Sequence, residues 1–371
     1  MTIERIPFLS LTPGADAAEV RAAIDRVLTR GHFVLGPEGE AFEAEFARAS
    51  GAAHAIGCGN GTDAIALILR ALGVGPGDEV VVPAMTATYT ALAVTMVGAR
   101  PVFADVEPGR LTMDPTSLQD RLTSRTKAIV PVHLFGQAAD LQALSAVATR
   151  AGVPLVEDCC QAHLATWGGR PVGTTGVAGA FSFYPTKNLG AVGDGGAIIT
   201  NDAAFAARLR CLRNGGQVTR YEHVDAGVNS RLDELQAAVL RVRLLRLEAG
   251  TAHRRALASR YRAGLDGTRA IPVPECDPGH VYHLFPVQHF QRDDIRARLD
   301  RAGIDTLIHY PIPLPAQRAF ASMAPAACPV AARAAAELFS LPLHPALTPV
   351  QVDRIITAVR AADRPDGSTH A

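Results

Sequence analysis

The run Phe181-Ser182-Phe183-Tyr184-Pro185-Thr186-Lys187-Asn188 places a lysine among aromatic residues and a proline. Lysine is rarely removed from water unless it takes part in chemistry. Partial desolvation lowers the pKa of a lysine, and the neutral amine can then attack an aldehyde to form a Schiff base. The alternative is a lysine whose stem packs while its head reaches water. These eight residues alone leave both interpretations open, so the flanking sequence has to decide.

Outward from this run, apolar strands alternate with helical patterns. Strands are predicted at 53–56, 80–82, 102–104, 128–132, 153–156, 180–183 and 197–200, and helices at about 17–30, 63–72 and 141–151. Continuous apolar strands between helices are typical of a mostly parallel sheet that is covered on both faces. The sequence therefore predicts the α/β class, with the lysine run just beyond one strand.

The alternation of predicted strands and helices changes past residue 250, where the proline-rich stretch 271–274 interrupts it. Helices are predicted near 292–301, 330–339 and 350–361, with a strand near 306–308. We therefore expect a large α/β domain over residues 1–250, including the N-terminal helix, and a smaller α+β domain over 251–371.

Composition limits the class of protein. The 371 residues include 48% hydrophobic and 19% charged residues, which excludes a disordered chain. Basic and acidic residues balance at 36 each, so neither nucleic acid nor an anionic membrane is expected as a partner. The six cysteines form no CxxC pair, and neither a signal peptide nor a membrane span is visible. We expect a cytoplasmic protein with reduced thiols.

A glycine-rich turn, residues 57–62, follows a predicted strand and opens a helix. Ligands of parallel sheets gather beyond the carboxyl ends of the strands, and the N–H groups of a helix N-terminus favour anions. The backbone N–H groups of this turn and the Thr62 hydroxyl are therefore candidates to hold a phosphate. An NAD-dependent oxidoreductase is the alternative, but Thr62 stands where the dinucleotide motif requires its third glycine.

A second candidate site is the pair Glu157-Asp158, which closes another strand, with Gln161 and His163 just beyond. A carboxylate there could keep a heteroaromatic nitrogen protonated, as the ring of pyridoxal phosphate (PLP) requires. A helix cap by Asp158 is the plain alternative. A metal bound by Asp158, His163 and His133 lacks a tight ligand spacing, and we predict no metal.

A third feature is the lysine run itself. Ser182 lies five residues before Lys187, where its hydroxyl could reach the same phosphate. Several glycines follow the lysine and allow the backbone to turn tightly beside a planar ring. Together the three features favour a Schiff-base lysine.

Six segments in order resemble one known family. They are GNGTDAIALILRALGVGPGDEVVVPAMT (59–86), VPVHLFGQ (130–137), VEDCCQAH (156–163), FSFYPTKNLGAVGDGGA (181–197), GVNSRLDELQAAVL (227–240) and IHYPIP (308–313). The chain is similar over roughly residues 5–360 to the DegT/DnrJ/EryC1/StrS family of PLP-dependent sugar aminotransferases. That resemblance implies the aspartate-aminotransferase fold (PLP fold type I). It is strongest to the branch that aminates nucleotide-linked 3-keto-6-deoxyhexoses for antibiotics or surface glycans.

The resemblance also implies roles for individual residues. Lys187 would form the Schiff base, Asp158 would pair with the ring nitrogen, and Gln161 would lie near the ring hydroxyl. Gly61, Thr62 and Ser182 would bind the phosphate. Asn229 would reach the cofactor of a second subunit. The resemblance therefore implies a homodimer with its active site at the subunit interface. His163, His309 and Tyr310 either line the sugar pocket or fill the domain interface.

Two departures bear on the substrate. The family usually has an aromatic residue directly after the threonine of its P-x-x-T segment, stacked on the cofactor ring, but Ala87 follows Thr86 here. Either Tyr89 takes that place or the ring is held less tightly. Pro315 stands where relatives often have a histidine. The expected reaction moves an amino group from L-glutamate or a similar donor to a keto-sugar. A 4-keto sugar, a keto-cyclitol and a regulatory role without turnover remain alternatives.

Overall fold

The computed structural model describes residues 4–11, 14–323 and 325–363. The described α-helices are α1 (Ala17–Arg30), α2 (Pro37–Ala49), α3 (Gly61–Ala71), α4 (Tyr89–Met96), α5 (Pro115–Arg121), α6 (Leu141–Ala151), α7 (Ala203–Arg213), α8 (Glu234–Leu244), α9 (Leu247–Leu265), α10 (Arg292–Arg301), α11 (Pro329–Glu337) and α12 (Pro349–Ala362). Short 3₁₀ helices lie at Leu134–Gly136, Leu314–Ala316 and Arg318–Met323. Over these same residues, no helix is both long enough and apolar enough to cross a membrane.

The strands are β1 (His54–Cys58), β2 (Glu79–Pro83), β3 (Arg100–Ala104), β4 (Thr126–Ile129), β5 (Val156–Asp158), β6 (Thr166–Trp167), β7 (Arg170–Pro171), β8 (Ala178–Ser182), β9 (Gly196–Thr200), β10 (Gln217–Thr219), β11 (Glu222–His223), β12 (Ile271–Pro272), β13 (Phe285–Gln288) and β14 (Leu338–Leu341). Two sheets of the α/β part have the orders β1-β9-β8-β5 and β3-β2-β4. Parallel bridges Ile129↔Leu155 and Val132↔Asp158 join them at β4 and β5.

Within the joined sheet only β9 runs against its neighbours, β1 and β8, while the other pairs are parallel. This is the mostly parallel sheet that the apolar strands predict. Val80 to Val82 of β2 are fully buried, as a strand covered on both faces requires.

Alternation along β8 explains the aromatic residues of the run 181–188. Side chains of successive strand residues point to opposite faces. Phe181 and the following Phe183 belong to the core on the side of α2, where Phe46 meets both rings edge-on at 5.1 and 5.3 Å. Ala180 belongs to the core on the other face, beneath α3. The phenylalanines are thus core residues that fix the strand from which the lysine segment emerges.

A separate antiparallel sheet, β12-β13-β14, packs with α9, α10 and α12 around its own core. Ile6 of the N-terminal segment joins that core and pairs with Ile304. The proposed domain boundary at residue 250 falls inside α9 and stays a prediction.

Two predicted elements differ in the C-terminal part. The helix predicted to reach residue 339 ends at Glu337, because Leu338–Leu341 pairs with β13 and buries its side chains there. The strand predicted at 306–308 is reduced to one bridge between Leu307 and Ser340. At the end of α11, pairing with β13 therefore overrides the local helical pattern.

The start of α2 depends on a carboxylate from a distant helix. The fully buried Glu234 of α8 accepts the N–H groups of Gly36, Glu38 and Gly39 at 3.0, 2.8 and 2.7 Å. These are first-turn donors that a helix leaves without internal partners. A negative group at a helix N-terminus is also favoured by the helix dipole. Glu234 therefore serves as the cap that α2 does not carry itself.

We expect Glu234→Ala to lower the free energy of unfolding by about 2–4 kcal/mol, since three buried N–H groups lose their acceptor. Denaturant unfolding measures the change. The control is Glu248→Ala, an exposed glutamate in α9 without a hydrogen-bond partner among the described residues, for which we expect less than about 1 kcal/mol. Equal effects of the two substitutions would contradict the capping role.

Candidate active site

The three features predicted from the sequence meet at the carboxyl edge of the sheet. Asp158 ends β5, Ser182 ends β8, and α3 begins at Gly61 just after β1. A Cβ added to Gly61 would lie 2.6 Å from the Cys160 sulfur and 2.8 Å from the Ser182 Cβ. The helix start thus touches the ends of both strands, and glycine is needed for that approach.

The N-terminus of α3 offers free donors at this point. The Asn60 side chain accepts the N–H of Asp63 at 2.9 Å, and the Asn60 carbonyl accepts the N–H of Ala64 at 3.1 Å. Helix geometry gives Gly61 and Thr62 no internal acceptor for their N–H groups. Two N–H groups at the positive end of a helix are suited to an anion such as a phosphate.

Lys187 carries an amine without a partner. Its side chain is half-buried, and over the described residues its nitrogen makes no hydrogen bond and has no carboxylate within 4.0 Å. Burial lowers the pKa of Lys187, while the nearby Cys160 and Asp158 act in the opposite direction. The chain's one other lysine, Lys127, lies exposed on β4. A desolvated, unpaired amine is the state that nucleophilic attack on an aldehyde requires.

Asp158 is buried and held in place on both oxygens. Its Oδ1 accepts the N–H of Cys160 at 3.1 Å, and its Oδ2 accepts the hydroxyl of the buried Thr90 at 2.8 Å. Because a carboxylate has about four lone-pair sites, it can accept a further donor. The sequence analysis did not identify Thr90, which is the second residue of α4 and lies four residues after Thr86.

The neighbouring Glu157 points to the other face and forms a fully bonded pair with His133. Glu157 accepts the N–H groups of Gly173, Thr175 and Gly176 at 2.7, 2.8 and 2.7 Å. His133 accepts the N–H of Ala139 on Nδ1, so its Nε2 carries the proton that it donates to Glu157 at 3.0 Å.

This pair is a structural support rather than a metal site. His133, Glu157 and Cys159 lie close enough to share an ion. However, both nitrogens of His133 are engaged, and backbone N–H groups already surround the carboxylate. Desolvation opposes ionisation of Glu157, yet the bonds from His133 and the backbone outweigh it and hold the pKa of Glu157 below its ordinary value.

Gln161 connects this edge to the C-terminal part of the chain. Its Oε1 accepts the N–H of Phe135 at 2.7 Å, and its Nε2 donates to the Tyr310 hydroxyl at 2.9 Å. Burial raises the pKa of Tyr310 to about 12, so the phenol stays protonated at neutral pH. Gln161 and Tyr310, two separately predicted residues, are therefore direct neighbours.

The two other predicted substrate residues have different surroundings. His309 is half-buried and its Nδ1 lies 3.0 Å from the Ser340 hydroxyl; burial and the Lys187 charge lower the pKa of His309 to about 4. His163 is fully buried against Phe181 and Phe183 and donates to the Ser182 carbonyl. A sugar cannot reach a ring with no exposed surface, so we do not carry His163 forward as a sugar contact.

Asn229 lies in the segment between β11 and α8. It is exposed beside a cavity of about 160 Å³ between α3, α4 and residues 228–230. The residues lining this cavity are Asp63, Ala66, Leu67, Arg70, Met96, Val97, Val228, Asn229 and Ser230. Ser230 anchors the segment by donating to Asp63 at 2.7 Å and accepting from Gly59 N at 2.9 Å. Asn229 is thus rigidly presented at the surface.

The region of the missing ring-stacking residue is open. Tyr89 begins α4 and is 65% exposed, whereas its neighbour Thr90 turns inward to Asp158. These positions are compatible both with stacking of Tyr89 on the cofactor ring and with a ring that is held less tightly. Both options stay predictions.

Comparison with known proteins gives consistent matches over nearly the whole chain. Residues 15–360 match the profile of the DegT/DnrJ/EryC1/StrS aminotransferase family. A dTDP-3-amino-3,4,6-trideoxy-alpha-D-glucose transaminase from Streptomyces venezuelae is 48% identical over 369 residues, covering 98% of this chain and 97% of the relative. The erythromycin biosynthesis sensory transduction protein EryC1 of Saccharopolyspora erythraea is 47% identical, covering 96% and 99%.

A solved structure is also closely similar. The crystal structure of S. venezuelae DesV in complex with a ketimine intermediate has a TM-score of 0.95 at 47% identity, covering 98% of this chain and 100% of that one. This likeness confirms the predicted fold class.

We expect Glu157→Gln to lower the free energy of unfolding by about 2–4 kcal/mol at pH 7, because an amide NH₂ would face donors that need an acceptor. The lowered pKa of Glu157 means that its contribution is complete above the ordinary glutamate value of 4.5 and is lost as the pH falls through the folded-state value. The difference from the wild type should therefore narrow in acid. Denaturant unfolding at pH 7 and below 4.5 checks this, with the half-buried Glu337→Gln as control. A pH-independent difference would contradict the assignment.

Proposed function

Because the chain belongs to the DegT/DnrJ/EryC1/StrS aminotransferase family, we propose that it transfers an amino group to the 3-keto group of a nucleotide-linked 6-deoxyhexose. The family match makes the chain a PLP-dependent sugar aminotransferase. The observation that carries the proposal within the chain is the desolvated, unpaired amine of Lys187 near Asp158.

The residues at the sheet edge fit PLP. Lys187 offers a free amine, Asp158 has acceptor capacity left for a ring N–H, and Gly61 and Thr62 offer N–H groups to a phosphate beside Ser182. Gln161 is held near the same edge by Phe135 and Tyr310. When bound, PLP supplies an electron sink that stabilises negative charge on the carbon undergoing proton transfer.

The chain's own groups supply the proton transfers. The lowered pKa of Lys187 increases the neutral fraction of its Nζ, which can then take a proton from the donor carbon and later return one. Asp158, which is oriented by Thr90, would hold the ring nitrogen of PLP through a charge-assisted hydrogen bond. The same groups serve both halves of the reaction, so one site handles the donor and the keto-sugar in turn.

Substrate identity is inferred from the relatives. The S. venezuelae enzyme is a transaminase for a dTDP-linked 3-amino-trideoxyhexose, and we propose the same class of acceptor here, with L-glutamate as donor. His309 and Tyr310 are the proposed sugar contacts, since both are half-buried at this edge and uncharged at neutral pH. A panel of 3-keto sugars, 4-keto sugars and keto-cyclitols, with products identified by mass, tests the choice. Turnover of only the latter two would overturn it.

A regulatory role is a second candidate, favoured by the name of the EryC1 relative. A regulator would not need a desolvated, unpaired amine, whereas this chain has one at Lys187. Turnover of glutamate and a keto-sugar decides between the two roles. The dinucleotide interpretation is not carried forward, because the family is one of aminotransferases.

We further propose a cytoplasmic homodimer in which Asn229 of each subunit completes the other's site. In its own subunit Asn229 is exposed on a segment that Ser230 holds rigidly, which suits a contact across an interface. All six cysteines are free thiols, as a reducing compartment allows.

We expect Lys187→Ala to abolish the yellow absorbance of the lysine-bound cofactor and to reduce amino transfer by at least about 1,000-fold, since both the covalent anchor and the proton carrier are removed. Absorbance spectra and turnover with glutamate measure this. Lys127→Ala is the matched control, because that lysine is exposed at the opposite edge of the sheet, and it should behave as wild type. An unchanged yellow band in Lys187→Ala would refute the assignment.

The shared site predicts complementation between subunits. Asn229→Asp should be inactive because a carboxylate would face the partner's phosphate. In heterodimers of Lys187→Ala with Asn229→Asp, one site keeps both native residues, so we expect about half of wild-type activity per dimer.

Co-expression with two affinity tags isolates these heterodimers, and each variant alone serves as the inactive control. If Asn229 acted within its own subunit, neither site of the heterodimer would be complete. Inactive heterodimers would therefore contradict the proposed exchange.

A further inference from the structure

We propose that Asn188 and His283 are positioning residues that hold the Lys187 amine in its reactive place from the C-terminal part of the chain. The inference rests on the proposed function, because it concerns the lysine of that same site. It assigns a role to two residues that sequence reasoning did not single out.

The connection begins directly after the lysine. The Asn188 amide nitrogen donates to the Val281 carbonyl at 3.1 Å, and the Asn188 oxygen lies 3.3 Å from Nδ1 of His283. A carbonyl can only accept, so the amide nitrogen must face Val281 and the amide oxygen must face the histidine. His283 Nδ1 therefore carries the proton, and the two residues form one directed link.

The segment that holds Asn188 is itself fixed at the active-site turn. Val281 N donates to the Gly136 carbonyl at 3.0 Å, and Leu284 N donates to the Phe135 carbonyl at 3.3 Å. Gly136 has a φ of +96°, and a Cβ there would lie 2.9 Å from His283 N. The backbones approach so closely that residues 281–284 and the turn behind Gln161 have little freedom to move apart.

Arg254 of α9 also holds residues 281–284 in place, through hydrogen bonds to backbone carbonyls. Its Nη1 donates to the carbonyls of Tyr282, His283 and Leu343 at 3.2, 3.4 and 2.7 Å. Arg254 is buried, and none of the described carboxylates lies within 4.0 Å of it. Burial of a cation without an ionic partner is costly unless hydrogen bonds compensate for it. Its bonds with backbone carbonyls therefore form a strong mutual constraint.

Electrostatics favour a neutral residue at position 283. Burial is the main cause that holds the pKa of His283 well below its ordinary value, and the charges of Lys187 and Arg254 act in the same direction. A neutral imidazole donates to Asn188 without placing another positive charge beside Lys187. On the other side of the lysine, Asp158 and Cys160 have the opposite influence on its amine. The link thus fixes the residue next to Lys187 by hydrogen bonds and adds no charge beside the amine.

The holoenzyme provides the first test through three His283 and Asn188 variants. His283→Leu and Asn188→Ala break the link, and a misplaced amine should lower kcat about 10- to 100-fold while KM for donor and acceptor changes less than about threefold. His283→Gln keeps a neutral donor and should stay within about threefold of wild type. His289→Leu is the control, since His289 is also buried but bonds to Asp363 rather than to the lysine segment.

The Lys187 amine gives a readout that does not depend on turnover. In the full-length chain stripped of cofactor, acylation of Lys187 can be followed against pH by mass spectrometry, with Lys127 as internal reference. Breaking the link should let the amine reach water and raise its pKa toward the ordinary lysine value by about half a unit or more. His283→Gln and His289→Leu should leave it unchanged.

The outcomes separate the two proposals. Unchanged kcat and an unchanged Lys187 titration in His283→Leu would overturn the positioning role, as would equal impairment by His283→Gln and His283→Leu. If the wild type turned over no keto-sugar, the proposed function would fail. The Lys187 titration would then still decide whether the link positions the amine.

Discussion

The arrangement of the site depends on one buried carboxylate that never touches it. At the end of β5, Glu157 accepts hydrogen bonds from three backbone N–H groups and from the ring of His133. A buried charge is tolerated only when its lone pairs are satisfied, so loops from both sides must converge on this point. The adjacent residue, Asp158, consequently points to the opposite face with a fixed backbone. The buried Asp158 therefore depends for its placement on a neighbouring carboxylate with a structural role.

The same division by strand alternation runs through β8. Phenylalanines on one face build the aromatic core with α2, while Ser182 on the other face meets the start of α3. Two adjacent strands therefore each present one structural and one chemical face. Lys187 follows β8 in a segment that the core holds by its aromatic residues, which allows the amine to be desolvated without being packed tightly. The rigid aromatic core on one face of the sheet thus fixes the position of the polar groups on the other face.

Some of this could be predicted from the sequence and some could not. The strand ends, the glycine turn and the lysine run are local patterns, and α6 ends at Gly152 where the pattern places it. The bounds of α8 and α9 could not be predicted, because these arginine-rich helices do not show a clear apolar stripe. Contacts such as Thr90 with Asp158, or Asn188 with His283, join residues 68 and 95 positions apart. Local sequence spacing cannot predict such pairs, because they form only when separate elements pack together.

The scarcity of lysine has a practical consequence. Of the 36 lysine and arginine residues, only Lys127 and Lys187 are lysines. Lys127 lies near the start of β4, at the amino edge of the parallel strands, whereas Lys187 lies at the carboxyl edge. Among the side chains, an amine-reactive support would therefore react with one exposed amine, at the edge of the sheet opposite Lys187. Such a surface would immobilise this protein with the edge that carries Lys187 turned towards the solution.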